Sequence, residues 1–175
     1  MKKIAYVGLI LSILSINIWA QAEEANCGIE AWVIDKDPNG LNIRNQPNAN
    51  SKILTKLKRK NNDSDFITVY VTGYSNGWIK IAQAENIDGD LLFDDIGWVS
   101  AKMIATGTKG SDGNYYKPAT LYANPNTKKK IGLIPSESEV QIVGFACGWI
   151  KVSYKRKAGW IRDSNICGNP VTTCS

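Results

Sequence analysis

The chain has 175 residues, a formal net charge of +5 and no histidine. Without histidine, Ser-His-Asp and Cys-His catalysis and the histidine-containing zinc centres are excluded. The charge is too small and too dispersed to point to nucleic acid, and the length allows one domain or two small ones.

Taken in order, the chain opens with Lys2 and Lys3, an apolar run from Ile4 to Trp19, and Ala20-Gln21-Ala22. That is the pattern of a secretory signal peptide over residues 1–22, with cleavage before Glu23. A retained anchor is the alternative, but Ser12, Ser15 and Asn17 interrupt a run already short for a span. No membrane span is therefore expected after cleavage. Glu24-Ala25-Asn26 is the wrong lead-in for a lipidated Cys27.

A first strand is expected at Ala31–Ile34, then a turn cluster over Asp35–Gly40. Leu41 to Pro47 reads as a short alternating strand stopped by proline, and Ile53 to Leu57 as another. Phe66 to Val71 is rich in β-branched and aromatic residues. A turn over Gly73–Gly77 leads into Trp78-Ile79-Lys80-Ile81, and an acidic connection from Ala82 to Ile96 leads to Gly97-Trp98-Val99. Ala101 to Ile104 follows as a tail, and residues 107–114 read as a linker rich in glycine.

Beyond it the pattern returns. Gly148-Trp149-Ile150-Lys151-Val152 repeats Gly77-Trp78-Ile79-Lys80-Ile81, and Gly159-Trp160-Ile161 repeats Gly97-Trp98-Val99. Ile131 falls six residues after Pro125, as Ile53 falls six after Pro47, and Val140 to Gly144 answers Val69 to Gly73. The connection between the paired Gly-Trp elements is nine residues longer in the first copy. Such self-similarity fixes the architecture before local detail does. With no helical apolar period outside the leader, the exported chain is expected to be all-β.

Leu41-Asn42-Ile43-Arg44 with Pro47, the downstream apolar strand and the paired Gly-Trp elements resemble the bacterial SH3 (SH3b) family. The similarity runs from about Ala31 to Ile166, and the second copy is degenerate, with Tyr122 where the family usually has arginine. The resemblance implies two small SH3-like barrels in tandem, one over 27–106 and one over 115–175. It also implies an exported protein linked to peptidoglycan binding. The tail from Cys167 to Cys174 is similar to that of small exported SH3-like proteins with no assigned activity.

Cys27, Cys147, Cys167 and Cys174 all lie in the exported part and read as two disulfides. Cys147–Cys167 with Cys27–Cys174 is the first expectation, and a local Cys167–Cys174 loop competes with it. The acidic connection, with Asn86, Asp88, Asp90, Asp94 and Asp95, offers hard oxygens to calcium but lacks the spacing of an EF-hand, and a solvated loop is the expectation. No catalytic residues, metal or cofactor are expected. For ligand binding the sequence nominates Arg44, Tyr70, Tyr74, Trp98, Tyr116, Tyr122 and Trp160. Each has a plainer reading, tryptophan as core filling and Arg44 as a fixer of loop carbonyls. From Gly107 to Ser175 there are 10 basic and 4 acidic residues, against 9 and 10 from Cys27 to Thr106, so the second half suits an anionic partner. The expected partner is peptidoglycan or an envelope protein.

Overall fold

A computed structural model describes residues 27–60, 65–112 and 115–171. The signal peptide expected at 1–22 lies outside them, and no helix among the described residues is long and apolar enough to cross a membrane. The described chain is all-β. Its only helical elements are single 3-10 turns at Ala101–Met103 and Asp163–Asn165.

The first half comprises β1 (Ile29–Val33), β2 (Leu41–Arg44), β3 (Ile53–Leu57), β4 (Ile67–Ser75), β5 (Trp78–Asn86) and β6 (Leu91–Ser100). After the first 3-10 turn come β7 (Ile104–Thr108), a small ribbon of β8 (Ser111–Asp112) with β9 (Tyr115–Tyr116), and β10 (Ala119–Tyr122). The chain continues through β11 (Lys130–Ile134), β12 (Glu139–Ala146), β13 (Trp149–Tyr154), β14 (Lys157–Arg162) and β15 (Ile166–Cys167).

Thirteen strands form one antiparallel sheet in the order β11-β10-β14-β13-β12-β7-β1-β4-β5-β6-β2-β3, with β15 added beside β7. Read outward from its middle, the order runs β1-β4-β5-β6-β2-β3 one way and β7-β12-β13-β14-β10-β11 the other. β7 thus holds the place in the second half that β1 holds in the first. The stretch read as tail and linker supplies that strand: Gly107 and Thr108 belong to β7 and are buried.

Alternation explains the strands. In β2, β4 and β5 every second residue faces inward, so Ile43, Ile67, Val69, Val71, Ile79 and Ile81 are fully buried. Leu121, Ile142, Ile150, Val152 and Ile161 do the same in the second half, and one contiguous aliphatic core spans both. Each such side chain contributes about 1.5–3 kcal/mol on burial. Where the two halves join, the buried hydroxyl of Thr106 donates to the carbonyls of Cys167 (3.2 Å) and Glu30 (3.3 Å), satisfying a polar group inside the seam.

The cysteine expectation needs correcting. Cys27 is bonded to Cys147, with Cα atoms 5.2 Å apart and a separation of 120 positions in sequence. Neither Cys147–Cys167 nor Cys27–Cys174 forms. Cys167 is also disulfide-bonded, and Cys174 lies outside the described residues. The physical reason is the seam: β1 lies beside β7 and β12 packs against β4, so the start of the first half meets the β12–β13 turn of the second. No local spacing encodes that approach.

Candidate functional site

The doubled Gly-Trp phrase becomes a doubled row of side chains running across the strands. In the first half, cross-strand partners link Ile53 to Arg44, Arg44 to Trp98, Trp98 to Lys80 and Lys80 to Gly73. In the second half they link Lys130 to Tyr122, Tyr122 to Trp160, Trp160 to Lys151 and Lys151 to Gly144. Directly paired residues on one face are the contacting unit of a sheet, so each row brings an indole, a lysine and either arginine or tyrosine together.

These rows lie on the outer face. Val99 and Ile161, one position beyond the two tryptophans, are fully buried, whereas Trp98 and Trp160 are half-buried. The glycines that end the rows have a steric purpose. A Cβ at Gly144 would stand 2.9 Å from Lys151 Cβ and 3.6 Å from Trp160 Cη2, and one at Gly73 would stand 3.3 Å from Lys80 Cβ. Each glycine therefore leaves room for a lysine stem to lie across its strand. Gly97 and Gly159, immediately before the tryptophans, are packed against Ile43 and Leu121 respectively.

The rows differ in one position. The Arg44 guanidinium donates to the Ser51 carbonyl at 2.6 Å and fixes the β2–β3 turn. Tyr122 instead meets Trp149 edge-to-face, with centroids 5.4 Å apart. Trp149 lies under the Arg162 guanidinium at 4.5 Å, and its indole N–H donates to Asn126 Oδ1 at 3.0 Å. Trp149 is consequently buried, whereas Trp78, opposite Ser100 rather than an arginine, is only half-buried.

Of the nominated residues, Arg44 with Trp98 and Tyr122 with Trp160 come together as pairs. Tyr70 and Tyr74 do not join them. Tyr70 lies on β4 opposite Glu30 and Gln83, its ring occupying the space that a side chain at Gly28 would need. Tyr74 packs against the core. Tyr116 contributes its backbone to the β8–β9 ribbon, opposite Ser111. Sequence reading left out Lys80, Lys151, Asn126 and Arg162. The signal available was alternation, which puts each lysine on the same face as the tryptophan two residues before it.

The acidic connection is an ordered hairpin. Asn86 Oδ1 accepts the backbone N–H groups of Asp88 (3.0 Å) and Asp90 (2.8 Å), and its amide donates to Asp90 at 2.8 Å. Lys60 Nζ lies 3.1 Å from Asp90 and 3.4 Å from Asp88. The Asn86 hydrogen bond, then Lys60, holds the Asp90 carboxyl below its usual range. Asp94 lies further along β6, opposite Gln83. Among the described residues no three metal-ligating side chains converge.

No family model matches the chain. It is 20% identical over 147 residues to a Bacillus subtilis (strain 168) protein that carries the provisional name N-acetylmuramoyl-L-alanine amidase YrvJ. The match takes in 77% of this chain and 25% of that protein, so the chain spans about a quarter of the relative's length. Among solved structures, NlpC2 of Trichomonas vaginalis aligns over 81% of this chain and 47% of its own, at 15% identity and a TM-score of 0.31. NlpC1 of the same organism aligns over 88% and 50%, at 16% identity and a TM-score of 0.30.

Proposed function

We propose that the two halves are tandem SH3-like modules of an exported, non-catalytic protein that binds peptidoglycan or related cell-envelope material. The observation that carries this reading is the pair of outward rows, Arg44–Trp98–Lys80 and Tyr122–Trp160–Lys151. A half-exposed indole flanked by a cation suits a sugar ring bearing carboxylate-containing peptide: the ring stacks on the indole and the cation meets the anion. Similarity to a protein named for the N-acetylmuramoyl-L-alanine linkage supports peptidoglycan as the ligand class. The Cys27–Cys147 disulfide supports an oxidising, extracytoplasmic compartment, periplasmic or secreted.

The test is cosedimentation of the mature, oxidised protein with purified sacculi while salt is varied. Saturable pelleting that survives moderate salt is the expected result, with Trp160→Ala weakening it by about tenfold, the order of one lost aromatic anchor. Pelleting abolished by salt would reduce the interaction to general attraction by the basic second half.

A second reading, a docking module for another envelope protein, is favoured by the β5–β6 hairpin. Its Ile87, Leu91, Leu92 and Ile96 are exposed, more apolar surface than a solvated arm needs. Absence of pelleting at any salt would select this reading.

A further inference from the structure

A separate cleft of about 490 Å³ opens at the seam, where β7 and the segment after β15 face the first half. Its chemistry differs from that of its surroundings. Trp32, Phe66 and Pro170 give it apolar walls, and Glu137 and Glu139 line it as carboxylates. The second half has only 4 acidic residues against 10 basic, yet two of those acids line this cleft and, among the described residues, no lysine or arginine does.

The cleft is built rather than incidental. Thr108, itself buried, donates its hydroxyl to the Pro135 carbonyl (2.8 Å) and accepts the Ser138 N–H (3.0 Å), tying the β11–β12 turn to β7. The Glu137 N–H donates to the carbonyls of Thr108 (3.2 Å) and Lys109 (3.3 Å) while the residue sits at φ +57°, a conformation non-glycine residues seldom hold. Two glycines shape the space. A Cβ at Gly110 would lie 2.8 Å from Glu137 Oε1, so its absence gives the carboxylate its seat. A Cβ at Gly107 would lie 3.3 Å from Trp32 Cη2, so its absence leaves the indole edge facing the cleft.

We infer that this cleft binds a primary ammonium carried on a short aliphatic stem, as in a lysine-type diamino side chain. The stem lies against Trp32, Phe66 and Pro170, where its methylene groups leave water. The ammonium is received by Glu137 and Glu139, with the aromatic walls adding attraction for a cation. This site has no counterpart within either half, because it exists only where they join. It does not depend on the outward rows binding anything.

The test is a two-dimensional NMR titration of the full oxidised protein with Nα-acetyl-lysine methylamide, and in parallel with its Nε-acetylated, uncharged form. Saturable shifts at Gly107, Gly110 and the Trp32 indole N–H are expected with the amine and not with the neutral compound. Replacing Glu137 and Glu139 together (E137Q/E139Q), both exposed positions, should weaken the amine about three- to tenfold, the order of two solvent-facing charge contacts. The inference is overturned if the neutral compound binds equally, if no saturable shift appears, or if the shifts fall on Trp98 and Trp160. It is also overturned if the double substitution leaves the affinity unchanged.

Discussion

The two halves share one strand order and one row of side chains, but they place their exposed chemistry differently. The first extends β5 and β6 into an acidic arm with Ile87, Leu91, Leu92 and Ile96 exposed. The second closes the same hairpin tightly at Lys155 and Arg156, both at positive φ, and encloses Trp149 beneath Tyr122 and Arg162. A position taken by Arg44 in one half and Tyr122 in the other thus changes what the row does. The arginine is committed to its own turn, whereas the tyrosine builds an aromatic cluster. The shared features are the strand order and the outward tryptophan–lysine pairs, and the differing ones are the residue beside each tryptophan and the length of the hairpin.

The largest effect should come from separating the halves. Across the seam β1 and β7 pair only through Trp32 with Ala105 and Val33 with Ile104, and the Cys27–Cys147 bond closes a loop of 120 residues. Replacing both cysteines by serine should cost about 2–5 kcal/mol, because a long loop regains its freedom in the unfolded chain. Urea denaturation followed by tryptophan fluorescence should show a lowered midpoint and a transition that splits as the halves lose their cooperativity. An unchanged midpoint would mean that the shared core alone joins them. Non-reducing peptide mapping gives the companion check, a Cys27–Cys147 cross-linked peptide and none joining Cys147 to Cys167.

A smaller effect tests the equivalence itself. A Cβ at Gly97 would come within 2.3 Å of Ile43 Cγ2, and one at Gly159 within 2.6 Å of Leu121 Cγ. Gly97→Val and Gly159→Val should each destabilise by about 1–3 kcal/mol through overpacking. Matching losses would establish that the two Gly-Trp elements bear the same packing load. A tolerated substitution in one half would break the comparison there.

The repeat was legible because a glycine that must lie against a core strand, followed by a tryptophan, cannot drift without cost, so the phrase persists in both copies. Strand composition placed β2 to β5 for the same reason. β7 was not legible. Ile104 to Thr108 carries one large apolar residue, and two of its positions, Ala105 and Gly107, are small because Trp32 and Cys167 crowd the seam. The Cys27–Cys147 disulfide depends on that same seam, so the sequence does not specify it either. Among the nominated ligand residues, the pairs Arg44–Trp98 and Tyr122–Trp160 followed from the repeat. Tyr70 and Tyr74 were nominated only as tyrosines, and packing around Gly28 and the core accounts for them. The cleft at Glu137 was invisible because its walls come from five separated stretches of chain.

The smallest effect concerns the acidic arm, the feature that most separates the halves. Asp90 accepts the Asn86 amide and lies beside Lys60, and both depress its carboxyl pKa. Lys60 is raised in turn, first by its hydrogen bond to Asp90 and then by that to Asp88. A depressed carboxylate contributes stability at pH above its unfolded value and loses it as pH falls through the folded one. A raised lysine contributes below its unfolded value and loses it as pH rises through the folded one. The arm should therefore be best ordered at neutral pH, loosening only in acid below the usual carboxylate range and again in strong alkali. NMR titration of the Asp90 carboxyl should give a midpoint below that of an unperturbed aspartate. Asn86→Ala and Lys60→Met should each move it back towards the usual value, because the amide hydrogen bond and the neighbouring ammonium both favour the charged carboxylate. A midpoint restored by Lys60→Met but unmoved by Asn86→Ala would make Lys60, from the segment that follows β3, the organiser of the arm. The arm's order would then depend on a contact remote in sequence, which the turn residues alone do not supply.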